Sequence, residues 1–190
     1  ISLGALYMIN NIDNERLAGQ LRKSLTISFA GFLVTLLFVL VKLLTMDGFA
    51  VSAEGVVSME SYKYLHNLLQ MPVVLVMFLV GAVLLVWGVV ATLLKKSFKR
   101  GIWLSGAGTV LAVMALFMIA GYNNTAFYPS TYDLQSSLTL ANSCSSEFTL
   151  KTMAVVSLII PFVVAYIAYF WHQMDKKSLT TEELKNSDKY

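Results

Sequence analysis

The chain has one cysteine, two histidines and few charges, and each shortage removes a class of protein. A single thiol, Cys144, closes no intrachain disulfide and offers no metal-ligand pair, so the staples of a small secreted domain are absent. Charged residues make up 13% of the 190, roughly half the ~25% of an ordinary soluble domain, while 57% are hydrophobic. A soluble fold cannot bury so large an apolar share. The formal charge of +3 is too small to argue for a nucleic-acid partner, and none is expected. Also missing are a Gly-rich phosphate loop, a HExxH helix and a nucleophile with a base nearby in sequence.

What is present is hydrocarbon, with a mean hydropathy of +0.68. Four apolar segments, residues 24–45, 70–94, 100–122 and 150–173, each reach or nearly reach the ~20 residues that span a ~30 Å bilayer core at ~1.5 Å per residue. The fold class expected is all-α: a polytopic membrane protein with a four-transmembrane-helix bundle over residues 24–173. Residues 1–10, apolar but too short to span, read as the end of a truncated transmembrane helix. Residues 11–23 then form a cytoplasmic connector and residues 174–190 a cytoplasmic tail.

Sidedness follows from the basic residues, because cytoplasmic loops retain Lys and Arg. Arg16, Arg22, Lys23, Lys95, Lys96, Lys99, Arg100, Lys176, Lys177, Lys185 and Lys189 fall on one side, leaving Lys42, Lys63 and Lys151 on or near the other. The C-terminus is therefore expected in the cytoplasm, and the loops 46–70 and 123–151 outside. Lys42, close to the outer interface, can snorkel. Trp103, Tyr122, Tyr169 and Trp171 stand where interfacial anchors belong.

Within the spans, Gly81 and Gly88 in the second and Gly101, Ser105 and Thr109 in the third provide small faces for close helix packing. Pro161 should kink the fourth. No Asp, Glu or His lies mid-span, which leaves a proton relay or ion-coupled transport site without a candidate. His66 falls in the outer loop and His172 at the cytoplasmic exit, both poor places for haem ligation. Residues 60–70 place Tyr62, Leu65 and Leu69 at helical spacing, with Leu68 adjacent, and predict a short interfacial helix. Thr180 with Glu183 makes a capping-box pattern in the tail.

The outer stretch from Gly121 to Met153 is crowded with Ser, Thr and Asn, yet its charges are only Asp133, Glu147 and Lys151. Tyr128-Pro129 forces an extended or turning path, and Ser145 or Ser146 is the expected N-cap of the last helix, with Glu147 in its first turn. Hydroxyls and amides satisfy backbone groups without the cost of desolvating charge, so the stretch is expected to fold as a structural cap.

The order of these features resembles the C-terminal half of subunit II of the cytochrome bd-type quinol oxidases. The residues that carry the likeness are Leu3 to Met8, Asp47-Gly48-Phe49, Pro129-Ser130, Ser137 to Thr139, Ser145-Ser146, Thr149-Leu150, Met153 and the tail sequence LTTEEL. The resemblance implies a subunit of eight spans in two four-helix bundles, of which this chain holds the end of the fourth and the last four. It implies a non-haem scaffold packed against a haem-bearing subunit I in the bacterial inner membrane. That complex oxidises quinol at the outer face, reduces oxygen to water and builds proton motive force, with haem b and haem d in the partner. The acidic residues linked to proton delivery belong to the half that this sequence lacks. No catalytic, cofactor-binding or metal residue is therefore expected in this chain. Its expected partners are subunit I, membrane lipid, a bound quinone and small accessory subunits. The alternative from another class is a fragment of a secondary transporter or small membrane channel, whose sites tend to carry unwound Gly/Pro pairs and intramembrane charges.

Overall fold

The computed structural model describes residues 1–95 and 97–174; Lys96 and the tail capping pattern at Thr180 and Glu183, with Lys176, Lys177, Lys185 and Lys189, lie outside the described residues. The protein is built from helices: α1 (Ser2–Asn11), α2 (Glu15–Thr45), α3 (Lys63–Gln70), α4 (Pro72–Leu94), α5 (Gly101–Gly121), α6 (Leu140–Ser143), α7 (Glu147–Ser157) and α8 (Ile160–Met174). Four helical segments are long and apolar enough to cross a membrane: α2, α4, α5 and the Glu147–Met174 run of α7 and α8.

Local chemistry sets the ends of these helices. The Asn14 side chain caps α2 by accepting hydrogen bonds from the N–H groups of Arg16 (3.0 Å) and Leu17 (3.2 Å). At ~1.5 Å per residue, the 31 residues of α2 extend about 46 Å, longer than the bilayer core. Its first turns therefore carry Arg16, Arg22 and Lys23 beyond the hydrocarbon. Farther along, Thr26, Thr35 and Thr45 donate to the carbonyls of Arg22, Gly31 and Val41 in their own helix, so these three exposed hydroxyls are paired within it. Pro72 occupies the first turn of α4, where its missing N–H costs nothing.

The last span is bent. Leu158 and Ile159 donate to carbonyls only three residues back (3.1 and 3.0 Å), and Pro161 has no N–H to continue the α-helical ladder. The kink expected from Pro161 is thus realised as a short tight turn that divides α7 from α8.

The interior is held by two apolar clusters. Ala5, Leu6, Ile9, Leu25, Phe29, Leu85 and Val89 join α1, α2 and α4 toward the basic side. Tyr64, Leu68, Val74, Ala115 and Ile119 join α3, α4 and α5 toward the other side. The α7–α8 span has no buried residue and meets α1 through the tilted rings of Tyr7 and Trp171, 6.1 Å apart.

One element has no counterpart in the sequence reading: an antiparallel hairpin of β1 (Gly48–Val51) and β2 (Val57–Glu60) ahead of α3. Its turn contains Gly55 at φ +81°, a conformation that residues with a Cβ rarely adopt. The short helix expected over residues 60–70 is α3.

Candidate functional surfaces

Three places concentrate specific geometry: the α4–α5 seam, a polar cap above it, and two grooves beside α1 and α2.

In the seam the backbones touch. A Cβ placed on Gly88 would lie 2.7 Å from the Gly101 carbonyl, and one on Gly101 would lie 2.6 Å from the Gly88 carbonyl. Gly81 and Gly108 form a second such pair, with 2.9 Å and 2.6 Å to each other's carbonyl oxygens. Between the pairs, buried Ser105 donates to the Leu85 carbonyl across the seam (3.0 Å), and Thr92 donates back to Gly88 (2.8 Å). Gly81, Gly88, Gly101 and Ser105 thus do the packing that the sequence predicts. Thr109 donates to its own Ser105 carbonyl (2.7 Å) and lines a groove together with Leu85 and Val89 of α4. A straight helix turns 3.6 residues per turn, so the contact line from Gly101 and Ser105 continues to Gly108 and Ala112 rather than to every fourth residue.

The cap is the long stretch after α5 folded onto the hairpin and α3. Val51 donates to the Asn124 carbonyl (2.8 Å), Ala126 donates to Phe49 (2.9 Å), and the Gln135 amide bonds both the N–H and C=O of Val57, each at 2.9 Å. Asn67 is its centre. Fully buried, it donates to the Ile119 carbonyl at the end of α5 (2.9 Å) and to Thr125 Oγ1 (2.7 Å), and accepts from Asn123 Nδ2 (3.0 Å). Asn123 and Asn124 adopt positive φ (57° and 52°), which turns the chain sharply off α5. Ser146 caps α7 through the Thr149 N–H, Glu147 sits in the first turn, and Thr139 with Asn142 makes a capping box on α6. The absence of charge is now explained: the buried polar atoms of the cap bond to one another and to helix ends.

At the cap's rim, Glu60 is flanked by His66 Nδ1 at 2.8 Å and the largely buried Lys63 ammonium at 3.2 Å. The His66 hydrogen bond, aided by Lys63, holds the Glu60 carboxyl below its usual range. Burial beneath the cap pushes the Tyr64 hydroxyl up. His172 lies exposed in the last turn of α8. The two histidines are not brought together, and among the described residues no group of three or more His, Cys, Asp or Glu side chains converges.

Beside α1 and α2 lie the grooves. An apolar one of about 510 Å³ is lined by Leu6, Phe29, Phe32, Leu85 and Val89, with the hydroxyls of Ser2 and Ser28 in mutual contact at 3.1 Å. A polar one of about 370 Å³, on the basic side, is lined by Asp13, Asn14, Glu15, Arg22 and Lys99 over Ile9, Ile12, Ala18 and Gly19. There Lys99 pairs with Asp13, and Arg22 Nε donates to the Thr92 carbonyl in the last turn of α4 (3.3 Å). The sequence reading noted these cations only as markers of sidedness.

Compared with known proteins, residues 1–174 match a family model described as cytochrome bd terminal oxidase subunit II. No curated protein matches the chain.

Proposed function

Since the chain belongs to the family of cytochrome bd terminal oxidase subunit II, and is an integral membrane protein of an oxidoreductase complex, we propose that it is the non-haem scaffold of a quinol:oxygen oxidoreductase. In this reading it holds a haem-bearing subunit I in the bacterial inner membrane while the complex oxidises quinol, reduces oxygen to water and builds proton motive force. The observation that carries the proposal is the family match over residues 1–174.

The two histidines of this chain do not form a shared haem site: His66 is engaged by Glu60 on the cap, and His172 lies on the exposed surface of a different element. In this reading haem b and haem d belong to the partner. The chain contributes rigidity: the glycine seam fixes α4 against α5, and the cap ties their outer end to α3. The exposed apolar surfaces of α2 and α7–α8 remain for partner spans and lipid. The basic edge of Arg16, Arg22, Lys23, Lys95, Lys99 and Arg100 supports a cytoplasmic placement of that end, and hence of the C-terminus.

The test is co-purification. The chain, tagged and expressed with its haem subunit, should bring down that subunit with a reduced-haem spectrum, whereas the chain purified without it should show none. A stoichiometric haem spectrum from the chain by itself would overturn the assignment.

A further inference from the structure

We propose that the bent last span seats a membrane-spanning helix of a partner chain, one that brings a neutral side-chain N–H or O–H to mid-bilayer and donates it to the carbonyls opened at Pro161. Two carbonyls lose their helical donors at the bend. Pro161 has no N–H for the Ser157 carbonyl, and the Phe162 N–H, which a regular helix directs to Leu158, turns to Ile159 instead (3.1 Å). The usual local remedy is already spent, because the Ser157 hydroxyl donates to the Ala154 carbonyl (2.6 Å) and the Thr152 hydroxyl to Phe148 (2.9 Å). Both carbonyls lie near the middle of the 28-residue run from Glu147 to Met174, and no residue of that run is buried.

That depth selects the occupant. An acceptor left open in hydrocarbon is costly, acyl chains carry no donor, and the head groups lie about 15 Å away, half of the ~30 Å core. A charged donor would add its own cost of desolvation at this depth, so Ser, Thr, Asn, Gln, Tyr or Trp is the matching chemistry. The approach is open as well. Ala154, Ser157, Pro161, Ala165 and Ala168 recur at helical spacing along one side of the span, so a second backbone can come close enough to reach the carbonyls. The ring contact of Trp171 with Tyr7 lies about 15 Å farther along α8 and leaves the bend uncovered. The proposal rests on the reading of this chain as one subunit of a membrane assembly, but not on the haem of its partner.

The test uses the full assembly in native membranes. A photoreactive benzoylphenylalanine in place of Leu158 should crosslink to a partner chain. Tagged variants are then co-expressed with untagged parent and limiting partner, and the partner captured is normalised to each chain's level in the membrane. Pro161→Leu restores the N–H and closes the bend; the parent should outcompete it about three- to tenfold, the worth of one or two hydrogen bonds within a membrane. Ala168→Leu fills the approach side with a good helix former and should also lose, whereas Val163→Leu, on the opposite side of α8, should compete evenly. A bend that faces lipid gives the reverse sign, since closing the ladder then only helps. Crosslinks to lipid or within the chain alone, Pro161→Leu competing evenly or better, or a loss in Val163→Leu as large as in Ala168→Leu would overturn the proposal. A crosslinked partner in an assembly without haem would sink the scaffold reading and leave this one standing.

Discussion

Gly108→Ala adds one methyl group at the point where α4 and α5 are closest. The new Cβ meets the Leu85 backbone nitrogen first, and falls 2.6 Å from the Gly81 carbonyl oxygen and 3.0 Å from the Leu84 carbonyl carbon. The contact with the Gly81 oxygen is about 0.8 Å short of the 3.4 Å at which ordinary contact begins. All three obstacles are backbone, so no side chain can rotate away and the helices must separate. Overpacking of this kind costs about 1–3 kcal/mol, while replacing a helical glycine by alanine returns roughly 0.5–1 kcal/mol. Gly106 supplies the control on the same helix, since a Cβ there meets nothing within 4 Å. The propensity gain is common to both substitutions, so the difference between Gly106→Ala and Gly108→Ala isolates the seam at about 1–3 kcal/mol. Thermal unfolding of the purified assembly in one detergent reads that difference as a drop of about 2–12 °C for Gly108→Ala relative to Gly106→Ala. Equal melting of the two variants would refute the close approach of α4 to α5.

Asn67→Ala strands the Ile119 carbonyl and Thr125 Oγ1 in a buried site, leaves Asn123 with Gln70, and should cost about 2–3 kcal/mol, measured by the same melt. Gln135→Ala breaks two hydrogen bonds at the cap's edge; it should speed proteolysis within residues 126–146 while leaving helix content by circular dichroism unchanged. For Glu60, the folded carboxyl lies below its usual 4.5, so its stabilisation is complete above that pH and is lost as the pH falls through the lower folded value. Amide protection in β2 and α3, corrected for intrinsic exchange, should hold from neutral pH to about pH 5 and decline below about pH 4.5, and Glu60→Gln should remove that dependence.

The spans were legible because hydrocarbon thickness dictates their length, and each of the four apolar runs comes close to it. Gly81, Gly88 and Gly101 were legible for a related reason: in lipid, small residues at helical spacing have few uses besides close packing. Gly108 was passed over because a pattern of every fourth residue was followed for one step too many. The hairpin left little trace, since strands of four residues show hardly any alternation, and Gly55 was its sole turn signal. Asn67 was hidden more deeply. Nothing local distinguishes an asparagine on an amphipathic helix from one that bonds partners more than fifty residues away. The polar groove was missed because its walls come from α1, α2 and the turn before α5, and only the fold brings Asp13 to Lys99.

The cap also imposes a rule on insertion. The hairpin and the long stretch after α5 are separated in the chain by two spans, α4 and α5, yet they exchange hydrogen bonds directly. They can meet only when the number of crossings between them is even, as it is when both spans cross. If either helix failed to insert, Gln135 and Val57 would lie on opposite sides of the bilayer, and Asn67 would have no Thr125 to bind. Closure of the cap therefore excludes the failure of either span alone, and an unclosed cap leaves its polar groups without their partners.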